Sequence, residues 1–286
     1  MGWFNTTHAS HDGRNELGHR QENAGHLRST FDSVATLYDE ARPGYPEQLF
    51  DDLASLSGTG SGAKALEIGC GTGQATLPLE RRGYCVLCVE LGERLAAITR
   101  GKLSEHPDAW VLVSSFEEWP LAKLEGTFDL VVSATAFHWV APAVRYRKSA
   151  QALRPGGSLA LIWNRPDPDG SSEGFPEALE DVHRREAPEL APVRRPRTRL
   201  DWEPDKAGEI GRSGFFERPE ERVYRFGVAH DAESYLRLLG TFSSHRALDE
   251  RTREGLFAAV VWLIDEEYGG RVVEGYRSEL YVAGRR

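Results

Sequence analysis

Apolar positions along the chain follow two rhythms in alternation, one helical and one extended, with loops marked by glycine and proline. Residues 1–28 carry almost no periodic apolar positions and are rich in His, Asn, Gly and charge, which predicts a disordered lead-in. From Ser29 the pattern changes: Phe31, Val34, Ala35, Leu37 and Tyr38 recur at helical spacing, and Arg42-Pro43 ends that helix. Pro46 suits a first helical residue, and Leu49, Phe50, Leu53 and Leu56 form the apolar stripe of a second helix. Short apolar runs follow at 65–68, 86–90, 110–113, 128–133 and 158–163, separated by helical patterns at 74–82, 94–103 and 143–153. The 128–133 run is nearly all apolar and β-branched, as a strand covered on both faces should be. Strands separated by helices of this length predict a parallel, doubly wound α/β sheet.

Beyond Asn164 the rhythm breaks. Residues 165–204 hold much of the proline and a cluster of six arginines within 184–199: Arg184, Arg185, Arg194, Arg195, Arg197 and Arg199. Further strands are expected at 223–228 and 278–283, with helices at 232–239 and 251–268 between them.

Charge and composition narrow the function classes. The chain has 286 residues, 40% apolar and 28% charged, enough for one large domain with a smaller cap. Its formal net charge of −9 argues against a nucleic-acid partner, because phosphate neutralisation needs surplus Lys and Arg. Nothing approaches the roughly 18 apolar residues of a membrane span, and the N-terminus lacks the order of a signal peptide. Three cysteines fit a reducing compartment, so a cytoplasmic monomer or homodimer is expected. Cys85-x-x-Cys88 falls in a predicted buried strand with no second pair, and the histidines match no zinc spacing, so no metal is expected.

The chemistry concentrates at Glu67-Ile68-Gly69-Cys70-Gly71-Thr72-Gly73, between the first strand and its helix. A doubly wound sheet receives nucleotide-like ligands at this turn, where a Cβ would obstruct close approach to the backbone. A dinucleotide site wants G-x-G-x-x-G, and here the last glycine position is Gln74, which weakens a nicotinamide oxidoreductase reading. Glu90 closes the second strand, where two carboxylate oxygens can accept two ribose hydroxyls.

On these residues the chain resembles class I methyltransferases, in particular the small-molecule group that includes trans-aconitate methyltransferase. The matching pieces are Tyr38 with Ala41-Arg42-Pro43-Gly44-Tyr45-Pro46, the glycine loop, Glu90, Phe128-Asp129-Leu130-Val131 with His138-Trp139, and Leu153-Arg154-Pro155-Gly156-Gly157. The resemblance implies a Rossmann-like seven-stranded sheet with the last strand, 278–283, antiparallel. It also implies an N-terminal helical lid over 29–60 and substrate-side insertions, partly helical, over 165–275. It implies S-adenosylmethionine as cofactor, S-adenosylhomocysteine as product and a small-molecule acceptor.

Carried over position by position, Glu67, Gly69, Cys70 and Gly71 would line the methionine part of the cofactor. Glu90 would hold the ribose and Leu91 cover the adenine. Ser115 stands where many relatives have Asp for the adenine amino group, and a backbone group of Phe116 would serve instead. Ala134 would offer its carbonyl to the methionine amine, while Tyr38 and Arg42 would meet the carboxylate from the lid. Methyl transfer asks mainly for in-line placement. His138 is the candidate general base where the acceptor must lose a proton, and Trp139, Trp163 and Asn164 are candidate acceptor contacts. The arginine cluster is a candidate contact for an acidic acceptor; O-methylation of a carboxylate or hydroxyl is favoured, with transfer to N or C left open. A cofactor-binding module without turnover is the other alternative.

Overall fold

The computed structural model describes residues 32–190 and 205–286. The expected lead-in, the start of the first helix at 29–31, and Arg194, Arg195, Arg197 and Arg199 lie outside the described residues. Seven strands form one sheet: β1 (Lys64–Ile68), β2 (Cys85–Glu90), β3 (Ala109–Val113), β4 (Phe128–Ala134), β5 (Leu153–Pro166), β6 (Glu220–His230) and β7 (Val272–Gly284). Their order is β3-β2-β1-β4-β5-β7-β6. Strands β1 to β5 pair in parallel, and β7 runs antiparallel between β5 and β6. The order reverses between β1 and β4, so the connections after these strands diverge and open a crevice at their C-terminal ends.

The helices are α1 (Ala35–Ala41), α2 (Glu47–Ser57), α3 (Thr76–Arg81), α4 (Glu93–Lys102), α5 (Pro142–Ala152), α6 (Phe175–Glu186), α7 (Lys206–Arg212), α8 (Ala232–Gly240), α9 (Ser243–Arg246) and α10 (Glu250–Trp262). The two-residue period of β1 sends Leu66 and Ile68 into one core, with Val131, Leu159 and Trp119, and Ala65 into the other, with Leu49, Phe50 and Leu79. Burying each large apolar side chain contributes about 1.5–3 kcal/mol, which fixes the register of the strands that carry the site.

A third core joins α6, α8, α10 and the outer half of β7 through Phe175, Tyr235, Leu239, Leu256, Val260 and Tyr276. This is the cap. The lid helix α1 packs against both α8 and α4. Its leading turn is anchored by Asp32, whose Oδ1 accepts from Arg94 N (2.7 Å) and Leu95 N (3.0 Å). Those are unpaired N–H groups in the first turn of α4, so Asp32 caps that helix from outside it, a contribution of about 1 kcal/mol. Lys102 ties the other end by pairing with Asp39 while donating to Thr72 O (3.0 Å).

Strands β5 and β6 run longer than the expected 158–163 and 223–228, and the helix expected over 251–268 ends at Trp262 with a π-helical turn over Leu263–Glu267; three further differences have a local cause. Helix α3 begins at Thr76 rather than 74, because Gly69, Gly71 and Gly73 all take positive φ and hold the chain in turns through Ala75. Helix α6 was hidden by prolines, yet Pro176 sits in its first turn, where no N–H is required. Strand β7 begins at Val272 rather than 278; Gly275 lets the 168–170 turn cross its backbone, where a Cβ would collide with Asp167 O and Gly170.

Candidate active site

The loop after β1 is shaped by backbone conformations that favour glycine. Gly69 has φ of +72°, and a Cβ there would lie 2.5 Å from the Cβ of Ala136, in the loop after β4. Gly71 has φ of +56°, and a Cβ there would make only ordinary contacts with Gln74 Oε1 (3.8 Å) and Tyr38 Cε1 (3.9 Å), so its requirement is conformational rather than steric. The loop is held from two sides: Thr99 Oγ1 donates to Gly71 O (2.8 Å), and Gly71 N donates to Glu90 Oε2 (2.9 Å). The other Glu90 oxygen accepts from Gly92 N (2.8 Å). Each oxygen keeps a lone pair for a further donor. Burial pushes the Glu90 carboxyl up, and the backbone N–H groups oppose that shift.

Glu67 lies at the floor, fully buried. Its Oε2 accepts from Thr76 Oγ1 (2.7 Å) and from the Cys88 thiol (3.7 Å), but its Oε1 is buried with no hydrogen-bond partner. Burial raises this carboxyl to about 7. A buried acceptor left unmet is costly and marks a place where a donor belongs. Cys70 beside it has its thiol pushed well up by its hydrogen bond to Cys88 and by burial, so it is a packing residue without thiolate character.

The lid brings a cation to the same cavity. Arg42 stacks its guanidinium over Phe242 (4.2 Å) and beside Tyr38 (5.4 Å), and its one side-chain hydrogen bond among the described residues is a long one to Thr241 O (3.5 Å). Its Nε is buried without a partner, and burial lowers its pKa. Among the described residues it makes no ion pair. Tyr45 reaches from the same segment to the Oγ1 of Thr135 (3.1 Å). Thr135 follows β4 with φ of +53°, a conformation that costs a β-branched residue roughly 1–3 kcal/mol. Such strain is tolerated where surrounding bonds over-determine it, and Thr135 N donates to Ile162 O (2.8 Å) while Asn164 N approaches its hydroxyl (3.4 Å).

One cavity of about 330 Å³ is lined by Tyr38, Arg42, Glu67, Gly69, Cys70, Gly71, Glu90, Leu91, Ser115, Phe116, Ala134, His138, Trp139 and Asn164. Trp163 is the one candidate outside the lining. It neighbours Asn164 on β5, so the pleat turns it to the other face, where it is buried and its Nε1 donates to His138 Nδ1 (3.5 Å). That bond leaves the proton of a neutral His138 on Nε2. Asn164 spends its amide on the protein, donating to Gly44 O (2.9 Å) and accepting from Ser278 Oγ, which fastens the lid loop. Ser115 accepts from Glu118 N (3.1 Å), capping the turn that carries Phe116.

Residues 66–161 match the methyltransferase domain family. An uncharacterized methyltransferase of Mycobacterium tuberculosis is 35% identical over 138 residues, 48% of this chain and 53% of the relative. A malonyl-[acyl-carrier protein] O-methyltransferase of Geobacter sulfurreducens is 33% identical over 102 residues, 35% of this chain and 38% of that protein. The chain thus spans about half the length, or less, of these curated relatives. In fold it is similar to a structure described as a type II methyltransferase from Anaeromyxobacter dehalogenans, with TM-score 0.58, 22% identity, and 85% of this chain and 97% of that chain covered. Residues 66–161 therefore carry a methyltransferase domain, on a Rossmann-like methyltransferase fold.

That likeness speaks to the class and does not test the trans-aconitate group. The cavity suits the polar groups of S-adenosylmethionine: among the described residues, Glu67 has an unmet carboxylate oxygen that fits an ammonium, Arg42 a guanidinium without an ion pair that fits a carboxylate, and Glu90 spare lone pairs that fit hydroxyls. Sequence reasoning missed the opposite wall, where Tyr235, Phe242, Glu274 and Tyr276 line the cavity from α8, its following turn and β7. Only the alternation of β7 could have signalled the last two. Among the described residues there is no cluster of His, Cys, Asp or Glu able to hold a metal, and no helix long and apolar enough to cross a membrane.

Proposed function

We propose that this chain transfers a methyl group from S-adenosylmethionine to a small-molecule acceptor. The observation that carries the reading is one cavity, at the switch point of the sheet, holding a buried carboxylate oxygen without a donor and a guanidinium without an anion among the described residues. The cofactor supplies an electrophilic methyl group already activated by the sulfonium charge.

Every other task falls to the chain's own residues. Glu67 and the backbone of residues 69–71 receive the amino end, and Arg42, with Tyr38 beside it, receives the carboxylate. Glu90 takes the ribose hydroxyls on its two free lone pairs while its remaining lone pairs keep the glycine loop in place. Leu91, Ser115 and Phe116 form the adenine side, and the Ala134 carbonyl stands by the amine. The lid over residues 32–60 and the cap within 165–190 and 205–275 exclude water and orient the acceptor, which is where most of the rate of such a transfer arises.

His138 and Trp139 border the acceptor side. His138, whose Nδ1 accepts from Trp163 Nε1, is assigned to orienting the acceptor. The acidic acceptor suggested by the arginine cluster gains no support from Arg184 and Arg185. Both are exposed on α6 and pair with Glu180, Asp181 and Glu186, away from the cavity.

The test is release of S-adenosylhomocysteine on incubation with S-adenosylmethionine and a panel of carboxylic acids, phenols, amines and stabilised carbanions. Turnover with one class supports the proposal. Cofactor binding without turnover on any class favours a binding module instead.

A further inference from the structure

The acceptor side of the cavity has a distinct electrostatic character. Four carboxylates line the cavity, Glu67, Glu90, Glu117 and Glu274, and Arg42 is the one Arg or Lys among its described lining residues. Each of the four accepts at least one hydrogen bond. Glu67 and Glu90 are tied as described above, and Glu117 accepts from Ala141 N (2.9 Å).

Glu274 differs. It lies on β7 opposite Val228, two residues beyond Tyr276, which faces Pro166 at the end of β5. The antiparallel strand therefore projects past the parallel edge, and its alternation sets Glu274 and Tyr276 on one face as a raised wall. One Glu274 oxygen accepts from the Tyr235 hydroxyl (3.1 Å); the other has no hydrogen bond, and the group no ion pair, among the described residues. Burial raises this carboxyl, and the Tyr235 hydroxyl only partly offsets it. The rings of Tyr235, Tyr276 and Trp139 line the same space. A partly desolvated carboxylate among aromatic faces is the environment that binds an organic ammonium, by charge-assisted hydrogen bonding and cation–π attraction.

We propose that Glu274, with Tyr235, Tyr276 and Trp139, selects acceptors that carry a basic amine. The inference rests on the methyltransferase reading, because it assigns this wall to the acceptor.

The test measures binding of benzylamine, benzyl alcohol and benzoate at pH 8 to the full chain saturated with S-adenosylhomocysteine, by calorimetry or ligand-observed magnetic resonance. These probes share a ring and differ in charge. Benzylamine should bind at least tenfold more tightly than the other two. E274Q should bring benzylamine to within about threefold of benzyl alcohol while leaving S-adenosylhomocysteine affinity unchanged. Equal or tighter binding of benzyl alcohol or benzoate to the native chain overturns the proposal without recourse to any variant. So does absence of benzylamine binding up to 10 mM on protein that binds S-adenosylhomocysteine, or a preference that survives in a folded E274Q protein. Failure to bind S-adenosylhomocysteine overturns the proposal and the methyltransferase reading together.

Discussion

The amide of Gly71 donates to Glu90 Oε2 at 2.9 Å, joining the glycine loop after β1 to the last residue of β2. The same carboxylate that would receive the ribose therefore also sets the conformation of the loop that borders the methionine part. Cofactor recognition and loop geometry depend on one side chain.

Glu90→Ala should accordingly lose more affinity than one ligand contact explains. Charge-assisted hydrogen bonds contribute roughly 1.5–3 kcal/mol each. A 10- to 100-fold rise in the dissociation constant for S-adenosylhomocysteine is expected, measured by calorimetry. Glu90→Gln should recover part of it, since the amide oxygen still accepts from one backbone N–H.

Gly69→Ala should destabilise the fold itself. Its Cβ would meet the Ala136 Cβ at 2.5 Å, in a backbone conformation with φ of +72°. A loss of about 1–3 kcal/mol is expected. Adding Ala136→Gly should restore the steric part and leave the conformational part. Thermal denaturation of the two single variants and the double variant separates them.

Much of the parallel core could be read from sequence because β1, β2, β4 and β5 are buried runs whose patterns need no partner to interpret. Glu90 was recognisable from its place at a strand end. The opposite wall was not, because Val272-Val273-Glu274-Gly275-Tyr276-Arg277 mixes apolar, charged and glycine positions. Its alternation acquires meaning only once the 168–170 turn packs on Gly275. Trp163 and Asn164 illustrate a second limit. Adjacent on one strand, they cannot both face the cavity, and the sequence does not say which does. The strain at Thr135 has no sequence signal at all.

Glu67 ties function to pH. Its carboxyl rises to about 7 against an ordinary value near 4.5. The folded state thus holds a proton that the unfolded chain releases between pH 4.5 and 7, and stability falls as pH rises through that window. The penalty is full above pH 7 and absent below 4.5. Glu67→Gln should raise stability at pH 8 by about 1–3 kcal/mol and leave it nearly unchanged at pH 4.5, in urea denaturation. The same variant should weaken S-adenosylmethionine binding. In the native protein, affinity should fall by up to tenfold per unit as pH drops below 7, because only the ionised group attracts the ammonium.

In the cap, His183 Nδ1 donates to Leu179 O (2.8 Å), so its Nε2 accepts from His245 Nε2 (2.9 Å). Burial, with His183 alongside, lowers His245 to about 4 from 6.5. The unfolded chain binds this proton at a higher pH than the folded one, so its contribution is present above pH 6.5 and lost as pH falls from 6.5 toward 4. A loss of about 1–2 kcal/mol from this residue is expected between pH 6.5 and 4.5. The measurement is the pH dependence of denaturant midpoints, and His245→Phe should flatten that part of the slope.

Calorimetric titration of the native chain with S-adenosylmethionine at pH 8 is the most direct test of the site. One equivalent should bind with a dissociation constant below 1 mM, and both Glu90→Ala and Arg42→Ala should weaken it at least tenfold while remaining folded. No detectable binding up to 1 mM, or binding indifferent to both substitutions, would contradict the assignment of this cavity to the cofactor.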